Sequence, residues 1–283
     1  MANWFASAER AALLRDKVQM HFDLASEHYG ANAPWVTMLY GSQNYHLDTE
    51  ESDVDTKTML FPTLKDVVLN RKMVSTDLQA PDLSLNNVKD YRAMFQNYLK
   101  GNVNFLETLF TDHYVVTDRH RWAERVFLEL RTQREMVAGY QPVRLMQMAA
   151  GMADQKYHAM EHKYESKAEV LAKYGYDPKQ LHHLCRLPVF MRDFMNTGKF
   201  GTALFPEERA RQYLLSLKTN PLPLKEAREL KEEANEAVGR LLAQAKLELP
   251  EYNHKEETLE FLEHMAVEVF FELQREQFVC TAY

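Results

Sequence analysis

The chain has 283 residues, 46% hydrophobic and 27% charged, the profile of a globular protein with a full core and room for one large domain or two ordinary ones. Asp and Glu outnumber Lys and Arg by 41 to 34, a net charge of −7, which argues against a protein that coats nucleic acid through bulk charge, because phosphate binding requires a basic surface. Only 9 glycines beside 14 methionines favour helix over an all-β sandwich, and Cys185 and Cys280 cannot make a disulfide framework and fit a reducing cytoplasm.

The N-terminal MANWFASAERAALLRDK carries charges and has no apolar core, so it does not read as a secretory signal. No run approaches the ~18 apolar residues of a spanning helix. A soluble, cytoplasmic protein is expected. From Trp4 to about His28 the apolar residues recur at helical spacing, predicting an amphipathic helix. The short apolar run Val36 to Tyr40 stops at Gly41-Ser42 and predicts a buried strand. After a polar stretch, DVDTKTMLF (Asp53 to Phe61) alternates with period 2 and predicts a second strand, which Pro62 ends. A short extended segment is expected around Asp82 to Leu85, then a helix from Val88 to Lys100 stopped by Gly101, and a brief helix from Asn104 to Leu109. Beyond Asp118 long helical patterns follow: His120–Val137, Pro142–Tyr174, Pro178–Asn196, Pro206–Leu217, Leu224–Leu247 and Glu256–Phe278. Several start at or just after proline, where a missing N–H costs nothing. The expected fold is α+β, with a small mixed β-sheet and flanking helices in residues 1–118 and an all-helical domain in 119–283.

The segment Leu39 to Lys57, LYGSQNYHLDTEESDVDTK, carries the chemistry. On a strand, Asp53 and Asp55 project to the same face. Two acids there repel unless a cation sits between them, and Mg²⁺ favours a few carboxylates plus substrate phosphates over a full protein cage. Gly41 lets backbone approach a phosphate, whose oxygens backbone N–H groups and the Ser42 hydroxyl can cradle. Lys57, two residues beyond Asp55, can pair with that acid or touch phosphate. The bland alternative is a solvated strand edge with a turn before it.

Strand, Gly-Ser, about ten residues, Asp-x-Asp, strand resembles the signature of the DNA polymerase β-type nucleotidyltransferase superfamily. The fuller segment is similar to a branch of predicted nucleotidyltransferases typified by Gly-Ser-x-x-Tyr-x-Leu-x-Thr-x-x-Ser-Asp-x-Asp, matched here by Gly41, Ser42, Tyr45, Leu47, Thr49, Ser52, Asp53 and Asp55. His46 departs from it, standing where glycine is common. KGNVNFLETLF (Lys100 to Phe110) resembles the branch's Lys-Gly-Asn-Pro-Asn-x-x-Glu-x-Leu, with Val103 for the proline. GYDPKQLHHLCRL (Gly175 to Leu187) resembles its Lys-x-x-x-His-x-x-Arg-Leu helix.

The resemblance implies transfer of a nucleoside monophosphate from an NTP, with ATP the expected donor, to an acceptor hydroxyl on RNA, a protein or a small molecule. It implies two Mg²⁺ ions, for which Mn²⁺ can substitute, held by Asp53, Asp55 and a third acid. Asp82 is the expected third acid, with Glu107 as competitor. Lys179, His183 and Arg186 fall at i, i+4 and i+7 of a predicted helix, and the resemblance makes that stripe a site for the triphosphate, with Gly41, Ser42 and Lys57 as further nucleotide contacts. A fold kept for nucleotide binding or regulation without turnover is the alternative. HAMEH (His158 to His162) fits the inverted zinc-protease pattern, but it lies among polar residues with no evident third ligand and reads as a solvated face.

Overall fold

The structure, a computed structural model, describes residues 7–30, 33–163 and 167–281, with side chains to 277. The predicted helix start at Trp4, part of the run predicted through Tyr174, and the side chain of Cys280 lie outside the described residues. The architecture is α+β: a five-stranded mixed sheet with flanking helices and a helical C-terminal region. The chain forms two compact units, one of Met1–Leu99, Asn104–Val137 and His254–Tyr283, the other of Lys100–Val103 and Ala138–Asn253.

In the first unit, helix α1 (Ala8–Tyr29) is capped by the Ser7 side chain, which accepts the Arg10 N–H, and stops at Gly30. Its buried residues Arg10, Leu14, Val18, His21 and Ala25 are spaced three or four apart, so they form one stripe. The strands are β1 (Trp35–Leu39), β2 (Thr56–Leu60), β3 (Ser75–Gln79), β4 (Leu85–Asp90) and β5 (Tyr114–Val116). Their order is β3-β4-β2-β1-β5, with β2 parallel to β4 and the other neighbours antiparallel. Both central strands, β1 and β2, are buried along their whole length, so both sheet faces are covered. Residues of α1 meet Trp35, Leu39, Leu60 and Val88 on one face. On the other, Phe61 contacts Tyr91 and Trp122, and Tyr114 contacts Phe127, which brings α3 (Tyr91–Leu99) and α5 (Arg121–Thr132) against that face. Helix α2 (Leu64–Val68), α4 (Val103–Leu106), a 3₁₀ turn at Glu107–Phe110, α6 (Arg134–Ala138) and α13 (Lys255–Thr281) complete the succession of elements outside the second unit's bundle.

Several local expectations change: the helix predicted over His120–Val137 is two, α5 and α6, the run predicted over Pro142–Tyr174 ends as α7 (Pro142–Ala159) and resumes as α8 (Ala168–Tyr174), and β5 has no predicted counterpart. The strand predicted from Asp53 begins at Thr56, leaving both acids in the segment just before it. The segment expected around Asp82 is the turn of a β3–β4 hairpin, closed by Leu83 N–H to Ala80 C=O and Ala80 N–H to Ser84 C=O, each 2.9 Å. The helix expected from Val88 starts at Tyr91, because Val88 to Asp90 complete β4, and the Asp90 carboxylate accepts the Arg92 N–H at 2.9 Å to open the helix. Strand β3 carries no sequence signal because it is an edge strand with a single buried residue, Leu78, and so lacks an apolar period.

The second unit is helical. Helix α9 (Pro178–Thr197) packs against α7 (Pro142–Ala159), α10 (Phe200–Leu204), α11 (Glu208–Thr219) and α12 (Leu224–Glu248), with α8 (Ala168–Tyr174) in the same unit. Pro142 and Pro178 open their helices, as the sequence predicts. The buried Phe190, Met191 and Phe194 are the apolar core of α9.

Candidate active site

Gly41 ends β1 with φ +82°, and a side chain there would meet nothing within 4 Å, so glycine is needed for its backbone and not for space. The turn closes through Asn44 N–H to Gly41 C=O at 2.9 Å and Leu47 N–H to Ser42 C=O at 3.0 Å. His46 has φ 60°, the left-handed conformation that glycine adopts most cheaply. The other motif residues hold the loop. Tyr45 and Leu47 are buried. The Thr49 N–H donates to Ser52 Oγ at 2.9 Å, and the Ser52 N–H returns to Thr49 C=O at 2.9 Å. Beneath them Arg10 grips Asp48 and donates from Nη2 to Gln43 C=O at 2.6 Å. Asn44 Nδ2 donates to Glu107 C=O at 2.9 Å.

The Tyr40 N–H donates to Asp55 C=O at 3.2 Å. That bond continues the β1–β2 pairing one step past the strands and brings the Gly41-Ser42 turn beside the acid pair. Asp53 is exposed and Asp55 half-buried. The Leu85 N–H, at the start of β4, donates to Asp55 Oδ1 at 2.9 Å and fixes the carboxylate. By strand alternation Asp55, Lys57, Asn87 and Asp77 share the face opposite α1, Lys57 lying opposite Asn87 and Asn87 opposite Asp77.

Lys57 is only 5% exposed. Its ammonium lies 3.8 Å from the Tyr40 ring centroid and 4.6 Å from that of Phe105, a cation held between two aromatic faces. Burial pulls its pKa down to about 8, against the upward pull of Glu107, Asp77 and Asp55. The same burial and the same acids raise the Tyr40 phenol. Asn87 Nδ2 donates to Asp77 Oδ1, while Asn87 Oδ1 is buried and accepts no hydrogen bond among the described residues. It is a hard oxygen on the acid face.

Asp82 sits in the hairpin turn, where its carboxylate takes the Lys17 ammonium and the Ser84 hydroxyl. Burial raises its pKa, but Lys17 and Ser84 outweigh that and leave it at about 2. Glu107 is buried, with Lys57 and Tyr40 in its electrostatic reach. Among the described residues no group of three or more His, Cys, Asp or Glu side chains is placed to share a metal ion. Asp77 and Asn87 have no motif in the sequence. The one signal for them was the Pro81-Asp82 turn dipeptide between two short polar runs.

In the second unit Lys179, His183 and Arg186 lie along α9, as the spacing predicts. Lys179 is exposed, His183 half-buried and Arg186 buried. Helix α7 adds Lys156, which the sequence did not reveal. Burial lowers its pKa, as does nearby Lys179, while Asp177 opposes. Burial holds His183 well below its ordinary value, helped by His182, Lys156, Arg186 and Lys179. The N-terminal half of α9 therefore gathers positive charge at the positive end of a helix, where an anion is favoured. The HAMEH segment makes no zinc face. Helix α7 ends at Ala159, between its histidines, and Glu161 is taken by Arg228 at 2.6 Å and Lys231 at 3.2 Å.

No family model and no curated protein matches the chain. It is similar to a solved structure, a nucleotidyltransferase-like protein from Exiguobacterium sibiricum 255-15 determined at 1.90 Å. The two are 12% identical over 81% of this chain and 75% of that one, with a TM-score of 0.28. A superposition that loose says nothing about individual residues. No described helix is long and apolar enough to cross a membrane.

Proposed function

We propose that the protein is a divalent-metal-dependent nucleotidyltransferase that moves NMP from an NTP to an acceptor hydroxyl. The acceptor oxygen forms a bond to the α-phosphorus, the bond to the β-phosphate oxygen breaks, pyrophosphate leaves, and the hydroxyl proton passes to solvent. The observation that carries the reading is the Tyr40 to Asp55 backbone bond, which joins the glycine-serine turn to the acid pair. Asp53 and Asp55 would hold Mg²⁺ or Mn²⁺, and the buried side-chain oxygen of Asn87, left without a hydrogen bond among the described residues while Asp77 takes the amide nitrogen, fits as a neutral ligand. The ion supplies neutralisation of the triphosphate charge. A second ion, as the resemblance implies, would draw on Asp77 or Glu107 and on the nucleotide itself. Asp82 is less suited, since Lys17 and Ser84 occupy its carboxylate.

The chain's own groups do the rest. Ser42 and the turn cradle a phosphate, and Lys57 holds the acids of its face together as a built-in cation. For Lys179, His183 and Arg186 the resemblance implies contacts to phosphate oxygens, and Lys156 adds charge to the same unit. The absence of a three-donor cluster among the described residues favours a second reading, a nucleotide-binding protein without turnover. Incubation with each α-labelled NTP and pools of RNA, protein and small molecules decides. Label in an acceptor, lost in Asp55→Asn, supports the transferase. NTP binding with no label in any pool supports the second reading, and no NTP binding refutes both.

A further inference from the structure

His21 is fully buried in the middle of α1, where helix packing needs only an apolar side chain. Both of its ring nitrogens are engaged: Nδ1 lies 2.8 Å from Thr56 Oγ1 and Nε2 lies 2.8 Å from Ser84 Oγ. Those two hydroxyls flank a single hydrogen bond of the candidate site. Thr56 follows Asp55, and Ser84 precedes Leu85, whose N–H orients the Asp55 carboxylate. The His21 carbonyl also accepts Asn86 Nδ2 at 2.9 Å. Asn86 in turn accepts from Thr58, which pairs with Thr37.

The direction of the Nε2 bond follows from its partner. The Ser84 hydroxyl donates to Asp82 Oδ1, so its oxygen accepts from His21 Nε2–H. In the neutral imidazole Nδ1 then accepts the Thr56 hydroxyl. A neutral imidazole with its proton on Nε2 satisfies every member, and burial favours that neutral form. Asp82 ends the chain on Lys17, one turn before His21 on the same helix. The run Thr56–His21–Ser84–Asp82–Lys17 thus clamps the start of β2 and the entry to β4 to α1.

We infer that His21 is a positioning residue for Asp55, acting from the opposite face of the sheet by fixing the offset between the starts of β2 and β4; this rests on the metal-binding reading of Asp55. A histidine can bridge two strands from a helix because its two nitrogens point apart, which a leucine or a serine cannot reproduce.

The test uses the full chain without metal. Thr56→Val and Ser84→Ala each delete one hydroxyl with little change of volume, and His21→Asn and His21→Gln each retain one of the two ring contacts. The Leu85 amide exchange rate is measured by NMR, with Asp55→Ala defining the unheld amide, and Mn²⁺ affinity is measured by electron paramagnetic resonance. Exchange at Leu85 should rise about tenfold in Ser84→Ala and Thr56→Val, the scale of one lost hydrogen bond. Mn²⁺ affinity should fall several-fold while amides of the β1–β5 pairing keep their protection. His21→Asn and His21→Gln should fall between parent and Asp55→Ala. Parental Leu85 exchange and parental Mn²⁺ affinity in both hydroxyl variants would overturn the inference, as would loosening spread equally over β1 and β5. A parent protein that binds no Mn²⁺ would instead overturn the reading of Asp55, and the Leu85 amide reports on His21 separately from it.

Discussion

The Arg10 guanidinium holds the Asp48 carboxylate in a two-bond grip, Nε to Oδ2 at 3.0 Å and Nη2 to Oδ1 at 2.9 Å, with side-chain exposures of 5% and 0%. The pair joins the first turn of α1 to the loop between the glycine-serine turn and the acids. Removing one partner strands a buried charge, at a cost of about 3–5 kcal/mol. Arg10→Met should lower stability on that scale in urea denaturation and weaken nucleotide binding. The double variant Arg10→Met with Asp48→Leu should recover most of the stability, because no lone charge remains. A single-variant loss below about 1 kcal/mol would show that the grip adds little.

Asp53→Asn and Asp55→Asn should remove nearly all transfer and weaken Mn²⁺ binding, while the thermal midpoint stays at or above that of the parent as like-charge repulsion is relieved. In Asp55→Asn the new side-chain amide keeps an oxygen that can accept the Leu85 N–H, so the backbone has no reason to move. Asn87→Ala should weaken Mn²⁺ binding less, since a neutral oxygen contributes less than a carboxylate. Turnover near the parental rate in both acid variants would remove the metal assignment.

Lys179→Ala or Arg186→Ala should weaken NTP binding by roughly 1.5–3 kcal/mol, the scale of a lost charge-assisted hydrogen bond, with Lys156→Ala acting in the same direction. Binding of the matching nucleoside should barely change. Calorimetric titration with NTP, nucleoside and inorganic tripolyphosphate separates phosphate contacts from base contacts. Equal NTP affinity across the three variants would rule out the basic stripe as the phosphate site.

His182 is buried, and its Nδ1 donates to Leu214 C=O at 2.7 Å. Burial lowers its pKa to about 4 from the ordinary 6.5, with Leu214 opposing and Lys218, Arg186 and Lys179 assisting. The unfolded chain therefore binds the proton first. Its contribution is intact above pH 6.5 and is lost as pH falls from 6.5 to 4, about 3 kcal/mol in all. His21 and His183 shift in the same direction and add to it. Urea midpoints taken from pH 7.5 to 4.5 should decline below 6.5. His182→Asn, which keeps a donor for Leu214, should flatten that decline, and a parental slope in this variant would exclude His182 as a cause.

Gly41 and His46 are both left-handed, at φ +82° and 60°. Gly41→Ala should destabilise by about 1 kcal/mol through backbone strain even though the space around it is open. His46→Gly relieves strain but frees the unfolded chain, so its stability should stay within about 1 kcal/mol of the parent's. Thermal melts of the two variants check the asymmetry, and a larger loss in His46→Gly would show that its side chain holds the loop.

What the sequence determined by itself is what short-range chemistry encodes. Helix α1 and the long helices α7, α9, α12 and α13 are legible because burial of one face imposes a 3.6-residue period, and prolines mark two of their starts. Strand β1 and its Gly41-Ser42 terminator are legible because an apolar run and a left-handed turn each demand particular residue types. Asp53 and Asp55 stand out for the same reason, and the stripe Lys179, His183, Arg186 follows from helix geometry alone.

Only tertiary structure decided how those pieces meet. Edge strand β3 has one buried residue and hence no apolar period, so beyond the Pro81-Asp82 turn dipeptide nothing in the sequence marks the hairpin that brings Asp77 and Asn87 to the acid face and leaves Asp82 in its turn. That Lys57 is a buried cation between Tyr40 and Phe105 depends on a ring 48 positions away. Arg10 reaches Asp48 across 38 residues and His21 reaches Ser84 across 63. Such pairs leave no periodic trace, because each is made by a single side chain whose partner is chosen by the sheet order and not by spacing along the chain.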